Sequence, residues 1–217
     1  MMARSPLTLA RPVSRAARLT LLVSAAAMVA GCALSRPAPV KNMFLIEAAP
    51  PPAAARAHPQ TLRVGTINVA APFRGRAFIY RDTELRYATD YYSEFLVAPA
   101  AMVGEGTARA LEAAHVFSRV VPPGASPDGD YVLDGFVSAL YGDVRDATRP
   151  AAEVAITYYL TRADGGSMTP MWSKEYRRHA PVAAAVPDSY TAALSAAFSE
   201  IVAELARDLA AANLAKK

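Results

Sequence analysis

One cysteine in 217 residues, three histidines and a single tryptophan leave little from which to build covalent or metal-centred chemistry. A lone thiol makes no internal disulfide, and no CxxC or Cys/His cluster is present to hold a structural zinc. His58, His115 and His179 are far apart and lack HExxH spacing. There is no GxSxG nucleophile elbow, and Gly104-Glu105-Gly106 lacks the third glycine of a dinucleotide-binding loop. The sequence therefore predicts no enzyme, no metal and no cofactor. Large apolar side chains are also thin: the hydrophobic fraction is 53%, but 48 residues are alanine. Alanine removes little area from water, so the core must come from scattered Leu, Ile, Val, Phe and Tyr.

A surplus of positive charge is missing too, once its position is read. The net charge of +4 comes from Arg4, Arg11, Arg15 and Arg18, in an N-terminal stretch without an acid; the rest of the chain holds 23 − 4 = 19 basic against 19 acidic residues. A neutral body has no excess of Lys and Arg to displace counterions from phosphate, which excludes nucleic acid as the expected partner.

What the sequence does have begins at those arginines. They precede an apolar run from Leu19 to Ala30, the order of a secretory signal peptide. Twelve residues are too few to span a bilayer, which takes about twenty, so cleavage is expected. The run closes in Val29-Ala30-Gly31-Cys32, which resembles the bacterial lipobox, and the chain's only cysteine stands where that signal requires it. Small residues before the cut admit the backbone to a membrane peptidase, and the Cys32 thiol is the nucleophile that takes the diacylglyceryl group. The resemblance implies two acyl chains on the Cys32 sulfur and a third on its amine, and three chains at ~0.8 kcal/mol per buried CH₂ make such an anchor effectively permanent. Ala33 follows in place of the Asp that retains many such proteins in the inner membrane, so the outer membrane is the expected destination, on its periplasmic face.

Residues 1–31 are thus read as signal peptide and 32–60 as a lipid-anchored tether. Six prolines and eight alanines lie between Ala33 and Gln60, with one apolar island, Met43-Phe44-Leu45-Ile46, predicted as a short edge strand. At about 3.1 Å per residue the extended stretch from Ala33 to Asn42 reaches ~30 Å. Residues 61–217 are the folded domain. Strands are expected at Leu62–Val69, in a hairpin from Ala77 to Tyr87, and at Val116–Val121, Asp130–Tyr141, Glu153–Arg162 and Met168–His179, the last two joined by Asp164-Gly165-Gly166. A helix after Pro99 is weakened by Gly104 and Gly106. Tyr190, Leu194, Phe198, Ile201, Leu205 and Leu209 form a continuous helical stripe, with Asp188 as its expected cap and Lys216 and Lys217 at the negative end of the dipole. This order predicts an α/β fold, a mixed sheet packed by two helices.

The same residues resemble a known family, the ABC-type transport auxiliary lipoproteins, which include the lipoprotein partner of the paraquat-inducible MCE lipid-transport system. The resemblance rests on Arg76 with Ile79-Tyr80-Arg81, then Tyr91-Tyr92-Ser93-Glu94-Phe95 leading to Ala98-Pro99 and Met102. It continues through Leu111, Phe117-Ser118-Arg119-Val120, Asp130-Tyr131 and the helix of Tyr190, Ala193-Leu194 and Ala197. The family commonly has Trp where this chain has Phe95, and its helix after Pro99 is usually better formed. The resemblance implies a domain similar to the N-terminal domain of TolB. It also implies an accessory, docking role in phospholipid transport across the envelope, with an MCE-domain or permease subunit as partner and homo-oligomerisation among the contacts it allows. A lipoprotein that scaffolds outer-membrane proteins is the alternative. Arg76, Tyr80, Arg81, Tyr92 and Phe95 are the expected contact residues, because Arg and Tyr are enriched at protein interfaces and Arg also pairs with lipid phosphate. Strand alternation allows half of that cluster to be core instead.

Overall fold

The computed structural model describes residues 40–125 and 128–214. Val29, Ala30, Gly31 and Cys32, like Lys216 and Lys217, lie outside the described residues. The folded domain is the compact unit Lys41–Lys217.

Among the described residues, eight strands and two long helices follow one another as β1 (Asn42–Phe44), β2 (His58–Val69), β3 (Ala77–Arg81), β4 (Tyr87–Phe95), α1 (Pro99–Ala113), β5 (Phe117–Val121), β6 (Tyr131–Asp143), β7 (Ala151–Asp164), β8 (Ser167–Pro181) and α2 (Pro187–Ala211). The long strand β6 is the spine. One of its edges pairs antiparallel with β7 over its whole length, and β7 carries β8. Its other edge is shared: β2 runs parallel to it as far as Val69↔Val137, and β3 takes over at Tyr80↔Gly142. β5 joins β2 in parallel, β4 joins β3 as an antiparallel hairpin, and β1 joins β4 in parallel. The result is one mixed α/β sheet, the class the sequence predicts.

Both helices lie on one face of it and touch each other, α1 over β2 and β5, α2 over β7 and β8. The stripe read from the sequence is the buried side of α2, and Ile201, Leu205 and Leu209 are at most 1% exposed. Polar ties pin the helices to the sheet. The hydroxyls of buried Tyr158 and Thr107 share a 2.7 Å hydrogen bond, and His58 Nε2–H donates to the Leu209 carbonyl at 2.8 Å. Because a buried donor without a partner costs about 1–3 kcal/mol, these ties fix the register of helix on strand.

Three expectations are corrected. Gly104 and Gly106, read as weak points, lie inside a full fifteen-residue helix. A Cβ at Gly106 would come 2.7 Å from a Phe198 ring carbon, so this glycine lets α1 close on α2. Asp188 does not cap α2: the N-cap is Val186, without a side-chain cap, and Pro187 opens the helix at a position where an N–H would have no intrahelical partner, so its lack of one costs nothing. The tether is also shorter than residues 32–60. From Lys41 the chain is docked, with Ile46 and Pro51 buried. The Glu47 and Ala49 N–H groups donate to the Ser195 and Ser199 hydroxyls, and Ala54 N–H to the Ala114 carbonyl. An extended Pro-rich segment has free N–H groups, and the serines of α2 are placed to take them.

Candidate functional site

The β3–β4 hairpin and β1 separate the expected contact residues by strand parity. Tyr80 packs its ring 4.9 Å from Tyr190 of α2, which puts Tyr80, and with it Phe78, on the helix side of the sheet. The Phe78 ring lies 4.6 Å from Phe95 and 5.1 Å from Phe44, so these rings are core. Phe95, expected at a contact surface, is 3% exposed, and burial raises the pKa of the half-buried Tyr80 phenol. Arg81 is withdrawn as well. It donates to the Glu84 carbonyl at 2.8 Å, pairs with the Glu84 carboxylate at 3.0 Å and reaches the Tyr141 hydroxyl at 3.5 Å. It braces the hairpin turn, so Arg81→Glu would set a carboxylate beside Glu84 and weaken the fold. That reverses the reading of Arg81 as a solvated contact residue.

Arg76 and Tyr92 remain on the outward face, in company the sequence did not single out. Strand alternation turns Lys41, Met43 and Leu45 of the β1 segment outward, beside Tyr92, Glu94 and Leu96. The Tyr91 and Tyr92 rings meet edge-on at 5.2 Å, and the Lys41 ammonium lies 5.5 Å from the Tyr91 ring centre. Glu94 sits between Lys41, at 3.2 Å, and Arg76, and these two cations hold its carboxyl below the usual range. Arg76 also donates to the Leu96 carbonyl. Two cations thus share one carboxylate, which leaves this edge one net positive charge, and its apolar side chains are exposed. Eight of the twelve exposed large apolar residues between Lys41 and Leu214 lie from Met43 to Val97. The remaining face without helices exposes Phe136 and Tyr159, diagonal neighbours across β6 and β7.

The titratable clusters are occupied internally. A cleft of ≈ 460 Å³ is lined by Glu84, Asp143, Arg145, Asp146, Arg149 and His179. Arg145 clamps both oxygens of Asp143 and reaches Glu84, and Arg149 pairs with Asp146. Hydrogen bonds from Thr148 and Arg149 hold Asp146 down at about 2. Carboxylates held this low are fixed counter-ions, poor at moving protons near neutrality. Beside them, nearly buried Glu153 accepts from Arg177 and His179. On the helix side, Lys174 bridges Glu204 and Asp208, while Arg178 reaches Glu200 and Glu204. Among the described residues no group of three His, Cys, Asp or Glu side chains is placed to hold a metal ion. No helix among them is long and apolar enough to cross a membrane.

Two solved structures share this arrangement. Protein XCC0632 from Xanthomonas campestris, of family-model DUF330, matches with a TM-score of 0.68 at 17% identity, over 76% of this chain and 92% of its own. An uncharacterized protein matches with a TM-score of 0.61 at 12% identity, over 78% of this chain and 99% of that one. These likenesses are of fold. No family model and no curated protein matches the sequence.

Proposed function

We propose that this protein is an outer-membrane-anchored periplasmic lipoprotein without catalytic activity, an accessory and docking subunit of an ABC/MCE-type phospholipid transport system. Acyl chains on Cys32 hold it at the membrane, and the domain beyond Lys41 offers contact surfaces that keep a transport path in register. Such a path has a thermodynamic purpose, since an acyl chain crossing water costs about 0.8 kcal/mol for each exposed CH₂. The observation that carries the reading is the helix-free face of the sheet, where Phe136 and Tyr159 stand exposed as diagonal neighbours across β6 and β7. A surface of that kind favours contact over chemistry.

The test is photo-crosslinking in intact envelopes from Phe136 and Tyr159, followed by identification of the captured protein. Capture of an MCE-domain or permease subunit supports the transport role. Capture of outer-membrane proteins alone replaces it with the scaffolding role.

A further inference from the structure

The outward face of β1 and β4 lies at the end of a short leash. Eight residues separate Cys32 from Lys41, a span that at full extension is about 30 Å, and β1 is the first element of the domain after them. If Cys32 sits in the headgroup layer, this edge is held within reach of the lipid.

The side chains name the surface they suit. Tyr91 and Tyr92 are 65% and 55% exposed, each a ring with a polar tip, and tyrosine is enriched where membrane meets water. Met43, Leu45 and Leu96 extend the patch on the same side. Lys41 and Arg76 share the one carboxylate of Glu94, and the single net positive charge left at this edge suits the phosphates of a headgroup layer. Among the described residues β1 also has one backbone edge without a neighbouring strand, which hydrocarbon could not satisfy, so the depth of contact ends at the headgroups. A protein partner fits less well. Half a dozen side chains fall short of the roughly twenty to thirty residues a side that a stable protein–protein interface uses, and a three-residue strand gives little ladder to a second copy.

We propose that this face rests on the membrane surface, with Tyr91 and Tyr92 in the phospholipid headgroup layer and Met43, Leu45 and Leu96 against them. The proposal rests on the lipid-anchored reading of Cys32. Docked this way, the domain has a fixed tilt relative to the bilayer and does not swing freely on its tether.

The experiment uses the full-length lipidated protein in phosphatidylethanolamine vesicles. Acylation consumes the only native thiol, so Tyr92→Cys supplies one unique site for an environment-sensitive fluorophore, with Arg109→Cys on exposed α1 as the control. Spin-labelled lipid is expected to quench the probe at 92 several-fold more strongly than at 109, and added salt is expected to leave that difference in place. Equal quenching at the two positions overturns the proposal, as does crosslinking of position 92 to a second copy or another protein. The mass of the N-terminal peptide separates the two ideas. Unacylated Cys32 overturns the anchor reading and the proposal with it, whereas acylated protein with an unquenched probe at 92 overturns the proposal alone.

Discussion

The α2 side of the sheet and its β1–β4 end use the same residue types to opposite purposes. Under α2 the apolar stripe is sealed, and charged groups stand at its border, where Lys174 and Arg178 bridge strand β8 to the helix through Glu200, Glu204 and Asp208. At β1–β4 two cations share one carboxylate within the edge, and the tyrosines and aliphatic side chains are the part left open. The difference separates stability from contact. Damage to the first region should unfold the protein, whereas damage to the second should leave it folded and unable to hold its place.

The largest effect is expected from Leu205→Ala, since that side chain is fully buried. A loss of ~2–5 kcal/mol in denaturant unfolding is expected, and a neutral result would mean that α2 is not the seal described. Next comes Gly106→Ala. In an ordinary helix this exchange gains about 1 kcal/mol, but here the new methyl meets the Phe198 ring, and overpacking costs about 1–3 kcal/mol. Net destabilisation is expected, and Phe198→Leu in the same chain should recover part of it.

Glu204→Gln is smaller. Lys174 and Arg178 hold the Glu204 carboxyl below its ordinary 4.5, so the unfolded chain takes up the proton first as pH falls. Its contribution is full above pH 4.5 and is lost as pH drops through the folded value. The variant should lie below wild type by under about 1 kcal/mol at neutral pH and converge with it in acid, as melting across a pH series would report. Smallest is Tyr92→Ser, expected to change stability by no more than about 0.5 kcal/mol because the ring is exposed. Combined with Tyr91→Ser it should weaken the headgroup contact, whereas loss of the Tyr92 ring alone leaves Tyr91 and the aliphatic patch to hold it. If Tyr92→Ser melts early instead, the contrast between the two regions fails.

Much of the fold was legible because its signals are local. The spacing of Tyr190 through Leu209 defines a helix face, the alternation in β7 defines a strand, and Asp164-Gly165-Gly166 announces a turn, with Gly165 and Gly166 at positive φ. Gly106 was misread because its partner, Phe198, is remote in sequence, and a close approach of two helices leaves no local trace. The Arg/Tyr cluster was legible only as a cluster. Which members face out depends on which side of β3 and β4 the helices cover, a fact that no residue in the hairpin carries. Parity could still have separated Tyr92 from Phe95, three positions apart on one strand. Another signal was present in Met43-Phe44-Leu45-Ile46, where apolar residues on both faces of a strand require cover on both. Phe44 and Ile46 find it in the core, and Met43 and Leu45 do not.

The three-residue pairing of β1 with β4 has a mechanical side. Any pull on the chain from its N-terminal direction loads β1 first, then the Glu47 and Ala49 bonds to α2, and only afterwards β2. Peeling Lys41 to Ala57 frees seventeen residues, roughly 60 Å of extended chain, before the parallel ladder of β2 with β5 and β6 bears any force. A pull from that direction meets a segment that yields in stages, and it lengthens the free chain while the sheet behind it remains intact.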